Sequence, residues 1–271
     1  MIHHLALLLS NSLLAMYPIM IKWYPHISTL SQTFLRILVI LCISFFFTSS
    51  HILQLSLLSP PFIAIGLVNL AHIYTSYAAY KHLNAGLATG LFYTYPIFIV
   101  LLGWLLLNES ISIRTTLGLF ACFIGVLLIQ IHKMEDGNDR SGYMYITLAA
   151  LTEAIIILFY KTHHMPNSFD RLFTLYALSL IPVTALMWWY GETIPMTDAV
   201  KLSGFHGLFG FGGYLLRLFA VDLPTQTFSL LSYSQIIIAF FYGWYLLGET
   251  ATTMDFAGIA VLIGGILQMK I

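Results

Sequence analysis

Two stretches of the chain, Gly-Trp-Leu-Leu-Leu-Asn-Glu-Ser at 103–110 and Gly-Trp-Tyr-Leu-Leu-Gly-Glu-Thr at 243–250, are versions of one pattern. They stand 140 residues apart. The same register carried outward lays residues 83–127 over 223–267, with 12 of 45 positions identical and no gap. The identities include Tyr93/Tyr233, Gly103/Gly243, Trp104/Trp244, Glu109/Glu249, Gly118/Gly258 and Gly125/Gly265. Shared apolar composition produces chance matches among Leu and Ile. It does not set Gly, Trp, Tyr and Glu in one register, so the chain is read as an internal repeat.

The sequence around the repeat has the composition of a membrane protein. Of 271 residues, 59% are apolar and 8% are charged, against about 25% charged in a soluble domain. Eleven Lys+Arg and eleven Asp+Glu cannot cover a soluble surface of this size. Disorder and collagen are excluded by the same composition, and a disulfide scaffold by two cysteines, Cys42 and Cys122, each inside an apolar run. Charge-free stretches cover 1–21, 37–80, 82–108, 115–132, 172–191 and 223–248. These are too long and too uniformly apolar for the alternating strands of a barrel, which leaves helices.

The expected fold is an all-α polytopic membrane protein with ten transmembrane helices, near 2–21, 29–48, 60–80, 84–107, 112–131, 142–160, 170–189, 202–221, 224–247 and 253–269. Residues 1–131 form one five-helix repeat and 142–271 the other, joined by a central polar loop at 132–141. Five is odd, so the second half enters the membrane inverted relative to the first, the common plan of secondary transporters. Pro61 and Pro224 suit first helical turns, and Asn84, Ser112 and Thr253 suit helix caps. The first apolar run has no preceding Lys or Arg and no small-x-small cleavage pattern, so it is read as a span and not a signal peptide. With both termini inside, four basic residues fall in inside loops and five in outside loops, which sets no orientation.

In both motifs the acidic residue closes one helix, and the next helix carries Gly118 and Gly125 or Gly258 and Gly265. This arrangement resembles the drug/metabolite transporter superfamily, specifically its EamA-type ten-helix branch, over nearly the whole chain. Pro18, Pro96 and Arg36 fit that family's pattern, while Ile236 stands in the register of Pro96 and departs from it. The resemblance implies cytoplasmic termini and a multi-pass plasma-membrane location, the inner membrane in a Gram-negative source. It implies a secondary transporter or exchanger, commonly for amino acids, related metabolites or toxic compounds. It places a central cavity among helices 1, 3, 4, 6, 8 and 9, with helices 5 and 10 apart. The implied partners are a small-molecule metabolite, membrane lipids, and a proton or counter-substrate. No nucleic acid and no cofactor are expected, and monomer and dimer both stay open.

Glu153 is the one acid near the centre of a span. A carboxylate there costs about 2.5–3.5 kcal/mol on insertion scales, which suits a cavity wall. It could bind a cationic group, carry a coupled proton, or partner a buried Arg or Tyr. Arg217 either snorkels to the interface from near its helix end or turns inward to a substrate carboxylate or Glu153. Arg36 is an interface anchor, a tie between helices or a carboxylate site. Tyr74, Tyr77 and Tyr80 recur every three residues on one broad face. Tyr93, Tyr214, Tyr233, His72 and Gln235 complete the candidate substrate-binding set with Tyr74, Tyr77, Glu153, Arg217 and Arg36. Tyr faces around a carboxylate could hold an organic ammonium. Glu109 and Glu249 are read as structural, Trp188 and Trp189 as interface anchors, and Pro96 and Pro182 as kinks. The glycines of the eighth span permit packing, bending or gating. No His or Cys cluster has metal-ligand spacing and no P-loop occurs, so neither a metal site nor ATP-driven pumping is expected.

These features favour a secondary transporter of a small polar, amino-containing metabolite, coupled to protons or working as an exchanger. A membrane-embedded enzyme or lipid-processing protein would need a catalytic cluster near a loop. The charge-dense loop 132–141 lacks a nucleophile–base arrangement. A noncatalytic scaffold would need no polar cavity.

Overall fold

A computed structural model of the protein describes residues 1–49, 59–83, 85–130, 140–163, 165, 167–248 and 250–268. The helices line up as ten spans. The first is α1 (Ile2–Leu14) with α2 (Tyr17–Trp23); the second is α3 (Thr29–Phe45); the third is α4 (Pro60–His82). The fourth is α5 (Ala85–Phe92) with α6 (Tyr95–Leu107), and the fifth is α7 (Ile113–Gln130). The second half repeats the order: α8 (Arg140–Thr162), α9 (Ser168–Tyr190), α10 (Met196–Phe205) leading to α11 (Gly212–Phe219), α12 (Thr225–Ser232) with α13 (Ser234–Leu247), and α14 (Thr253–Ile266). Among the described residues, six stretches are long and apolar enough to cross a bilayer. Asn84, Glu249 and most of the loop at 132–141 lie outside the described residues.

Local chemistry sets the ends of these helices, and it does so twice. The fourth and ninth spans both stop at a left-handed residue, Asn108 at φ 53° and Gly248 at φ 67°. Asn and Gly are the residues that enter that region at least cost. The fifth and tenth spans both start at a hydroxyl cap. Ser112 Oγ accepts from Thr115 N at 3.1 Å. Thr252 Oγ1 accepts from Asp255 N while Asp255 Oδ2 accepts from Thr252 N at 2.8 Å, a reciprocal capping box. The tenth-span cap is therefore Thr252 and not Thr253; the 140-residue register already pairs it with Ser112. Pro224 itself occupies the cap position ahead of α12. Pro96 and Pro18 do not kink intact helices but open new ones, in the first turns of α6 and α2. Pro182 sits within the continuous α9. The ninth span breaks at Tyr233, the equivalent of Tyr93, with no proline beside it.

Four glycines show how the halves meet. A Cβ on Gly125 would stand 2.7 Å from the Gly258 carbonyl oxygen, and one on Gly258 would stand 2.7 Å from that of Gly125. Gly118 and Gly265 make the same reciprocal approach, at 2.9 and 2.7 Å. The repeat maps Gly118 onto Gly258 and Gly125 onto Gly265, so the two contacts exchange under it. Pairing the early glycine of one helix with the late glycine of the other makes α7 and α14 antiparallel. The two halves are thus inverted copies about a pseudo-two-fold axis, and small residues let the helices close on it.

Candidate binding cavity

Besides the ninth, three spans are interrupted in the middle of the bundle, and the interruptions lie close together. The first span breaks at Ala15–Met16, the fourth at Tyr93–Thr94, and the eighth passes through a π-helical segment, His206–Phe211. Breaks of this kind are tolerated in a membrane where the freed backbone faces protein or a cavity, and π segments gather at functional sites. The glycines of the eighth span let it come close to the first. A Cβ on Gly213 would lie 2.6 Å from Leu14 Cδ2, and one on Gly210 would lie 2.5 Å from the Tyr17 hydroxyl. That hydroxyl is 3.2 Å from His206 Nδ1.

The breaks of the first and fourth spans, with Tyr214 just past the π-helical segment, border a cavity of about 60 Å³. Its wall includes Tyr17, Arg36, His72, Tyr77, Glu153 and Arg217. It is built chiefly by the first, third, fourth, sixth, eighth and ninth spans, with Arg36 reaching in from the second. A volume of this size holds about two waters, whereas small-molecule sites run to about 300–1,000 Å³. Admitting a metabolite requires the helices to part.

The cavity carries two buried cationic centres of different kinds. Around the first, Glu153 Oε1 lies 2.6 Å from Arg217 Nε, and Oε2 lies 3.4 Å from His72 Nε2. His72 Nδ1 is 3.1 Å from the Ala149 carbonyl oxygen, one turn before Glu153. Arg217 Nη2 donates to the Tyr95 hydroxyl at 2.6 Å, and its Cζ stands 5.1 Å from the Tyr95 ring centroid. Arg217 is 2% exposed, so it does not snorkel; Glu153 of the sixth span and Tyr95, just past the fourth-span break, bring acceptors to it instead. The second centre is Arg36, also 2% exposed. Its Cζ lies 4.4 Å from the Tyr214 ring centroid, 5.0 Å from Tyr17 and 5.7 Å from Tyr77. Its Nε and Nη2 donate to the Tyr176 hydroxyl at 3.3 Å.

Most of the residues singled out from sequence meet here: Glu153, Arg217, His72, Arg36, Tyr77, Tyr93, Tyr214 and Gln235 all line the cavity. Two do not. Tyr233 is fully buried behind the wall, with its ring 6.5 Å from Tyr93. Tyr74 is 38% exposed on the outer face of α4. Three residues are 300° of helix, so Tyr74 and Tyr80 diverge by about 120° and only Tyr77 and Tyr80 reach inward. Sequence reading passed over Tyr17 and Tyr176 and left Tyr95 among the weaker aromatic candidates. Each had a signal. Tyr17 and Tyr95 both precede a helix-opening proline, and Tyr176 stands 140 residues from Arg36, on the other side of the repeat. Glu109, expected to order the turn into the next helix, instead accepts from Thr225 Oγ1 at 2.7 Å and ties the fourth span to the ninth. Trp188 and Trp189 project from the bundle as interface anchors do.

The family profile of EamA-like transporters matches residues 1–131 and again 140–270. The chain belongs to the EamA-like transporter family. It is a multi-pass membrane protein. Two curated relatives from Bacillus subtilis (strain 168), both described as uncharacterized transporters, match this EamA-like chain. YdfC is 27% identical over 195 residues, 69% of this chain and 62% of its own length. YoaV is 24% identical over 196 residues, covering 69% and 67%. The chain thus spans under two thirds of the length of the first of them. A solved crystal structure superposes with a TM-score of 0.79, over 98% of this chain and 96% of its own, at 14% identity. That last likeness is one of fold.

Proposed function

We propose that this EamA-like protein is a secondary transporter of a small polar, amino-containing metabolite, an amino acid or an organic amine, working by alternating access. Both termini lie in the cytoplasm in this reading, and the halves 1–131 and 142–271 move as the two units. The observation that carries it is the cavity's position between inverted halves, walled by broken helices and by buried charge. Charged side chains inside a membrane are costly and mark a transport path or a binding site. A scaffold would have no use for them. The related halves can exchange conformations, which opens one site to each side in turn. Glu153 is the carboxylate of the wall, and protonating it would release Arg217, so proton coupling is assigned to this pair.

Counterflow in proteoliposomes tests the reading. Vesicles loaded with an unlabelled amino acid or amine are diluted into its labelled form, with and without a pH gradient. Transient uptake above that of protein-free vesicles is expected for at least one cargo. No counterflow across a panel of amino acids, amines and their derivatives would sink the proposal.

A further inference from the structure

The two buried cations of the cavity are not treated alike. Arg217 has its anion: Glu153 lies against its Nε, and the second oxygen of Glu153 faces His72. Arg36 has none. Among the described residues no carboxylate comes within ion-pair distance of it. The polar groups set against it are neutral tyrosine hydroxyls, and three of its neighbours present ring faces. Ring faces attract a cation but do not cancel its charge. The charged residues of the wall are Arg36, Arg217 and Glu153, two cations against one anion. With its histidine neutral, the cavity carries one positive charge that no described residue balances.

A guanidinium is planar, offers five N–H donors in a fork, and cannot shed its charge. Buried without an anion it costs several kcal/mol. Arg36 lines the cavity, so an anion arriving there can reach it. The shape of the vacant partner follows from the fork: a carboxylate accepts two parallel N–H bonds from it. Tyr17, Tyr77 and Tyr214 stand against Arg36, and Tyr80, Phe92 and Tyr93 add aromatic wall to the same cavity. That surface suits an apolar or aromatic body on the same molecule.

We infer that Arg36 is the carboxylate anchor of the cavity, so the cargo is a carboxylate-bearing molecule and a simple organic amine is not a substrate. The inference rests on the transporter reading above and narrows it, from amino acid or amine to the carboxylate-bearing one. Glu153 then does not serve as counter-ion to a substrate ammonium while Arg217 holds it. Tyr176, which accepts from Nε and Nη2, and Tyr214, whose ring lies 4.4 Å from Cζ, act as positioning residues for the guanidinium.

The test uses the full chain in detergent and in proteoliposomes. The probes are leucine and phenylalanine, their carboxamides, the corresponding decarboxylated amines, and the corresponding acids without the amino group, with sodium chloride varied separately. A ligand of the folded state raises its thermal stability by mass action. At least one carboxylate probe is expected to stabilise the wild type. Its amide and amine are expected to bind at least about tenfold more weakly, the loss of one charge-assisted pair. Arg36→Gln is expected to erase that preference, and Arg36→Lys to restore part of it. Amide or amine binding equal to the acid would overturn the inference. So would unchanged acid binding in Arg36→Gln, stabilisation by chloride alone, or no response to any carboxylate probe. Counterflow separates the two proposals. Amines that exchange while acids do not leave transport standing and remove the Arg36 assignment. Acids that bind through Arg36 without any counterflow do the reverse. Acids lacking the amino group that exchange as well as amino acids keep Arg36 and remove only the amino requirement.

Discussion

At the scale of single residues, the deciding feature is how each buried charge is met. Glu153 and Arg217 are both nearly inaccessible and 2.6 Å apart. Removing one partner of such a pair leaves the other uncompensated, at a cost of about 3–5 kcal/mol. Glu153→Gln and Arg217→Gln are each expected to lower thermal stability strongly. The double variant should lose less than the sum of the two, with a coupling of at least about 1 kcal/mol. Additive losses in a double-mutant cycle would show that the pair is not a stabilising unit. The roles of these residues were only half legible beforehand. The sequence puts a carboxylate in mid-span, but Arg217 is 64 positions away and no local pattern says that the two meet.

At the scale of helices, the fifth and tenth spans fit only because their facing positions carry no side chain. A methyl group on Gly258 would meet the Gly125 oxygen at 2.7 Å and Ile129 Cγ1 at 2.7 Å. A backbone oxygen cannot rotate aside, so Gly258→Ala is expected to cost about 1–3 kcal/mol by overpacking. Gly264 lies in the same helix with nothing within 4 Å of its would-be Cβ. Gly264→Ala is therefore expected to be neutral or stabilising, by up to about 1 kcal/mol of helix propensity. Thermal unfolding of the two variants in one detergent compares them directly, and equal losses would contradict this packing. The glycine register was visible in the sequence. Which glycine meets which was not, because that depends on the antiparallel crossing.

At the scale of the whole molecule, each face of the bundle is tied by its own polar set. On the face that holds the N-terminus, Arg171 Nη2 pairs with Asp222 at 3.1 Å and its Nη1 donates to the Leu218 oxygen at 2.8 Å. His3 Nδ1 lies 2.8 Å from the Phe219 oxygen. On the opposite face, Glu192 accepts from Ser28 and, at 2.8 Å, from Ser31, while Lys81 donates to the Ile27 oxygen at 2.6 Å. Hydrogen bonds to charged groups contribute about 1.5–3 kcal/mol, and a loss of 1.4 kcal/mol shifts a conformational equilibrium about tenfold. Glu192→Gln is therefore expected to raise labelling of a Ser76→Cys probe from the Glu192 face, and Arg171→Gln from the other. A membrane-impermeant thiol reagent, applied with Cys42 and Cys122 replaced by serine, measures both. Variants that change labelling equally from both faces would separate these ties from gating.

The sequence alone determined that the chain crosses a membrane many times, because 22 charged groups among 271 residues leave lipid as the only fitting surroundings. It also determined the repeat, the inversion that an odd number of spans imposes, and the ends of the fourth and ninth spans, which local turn chemistry dictates. Tertiary structure decided the rest. It set Arg217 on Glu153, turned Tyr74 outward and moved Tyr233 behind the wall. It brought Tyr17 and Tyr176 to Arg36, and it broke the ninth span without a proline. These outcomes follow from which helix faces meet across an axis that lies outside either half. Periodicity and propensity act along one helix, whereas the balance of charge in the cavity is a sum over seven of them.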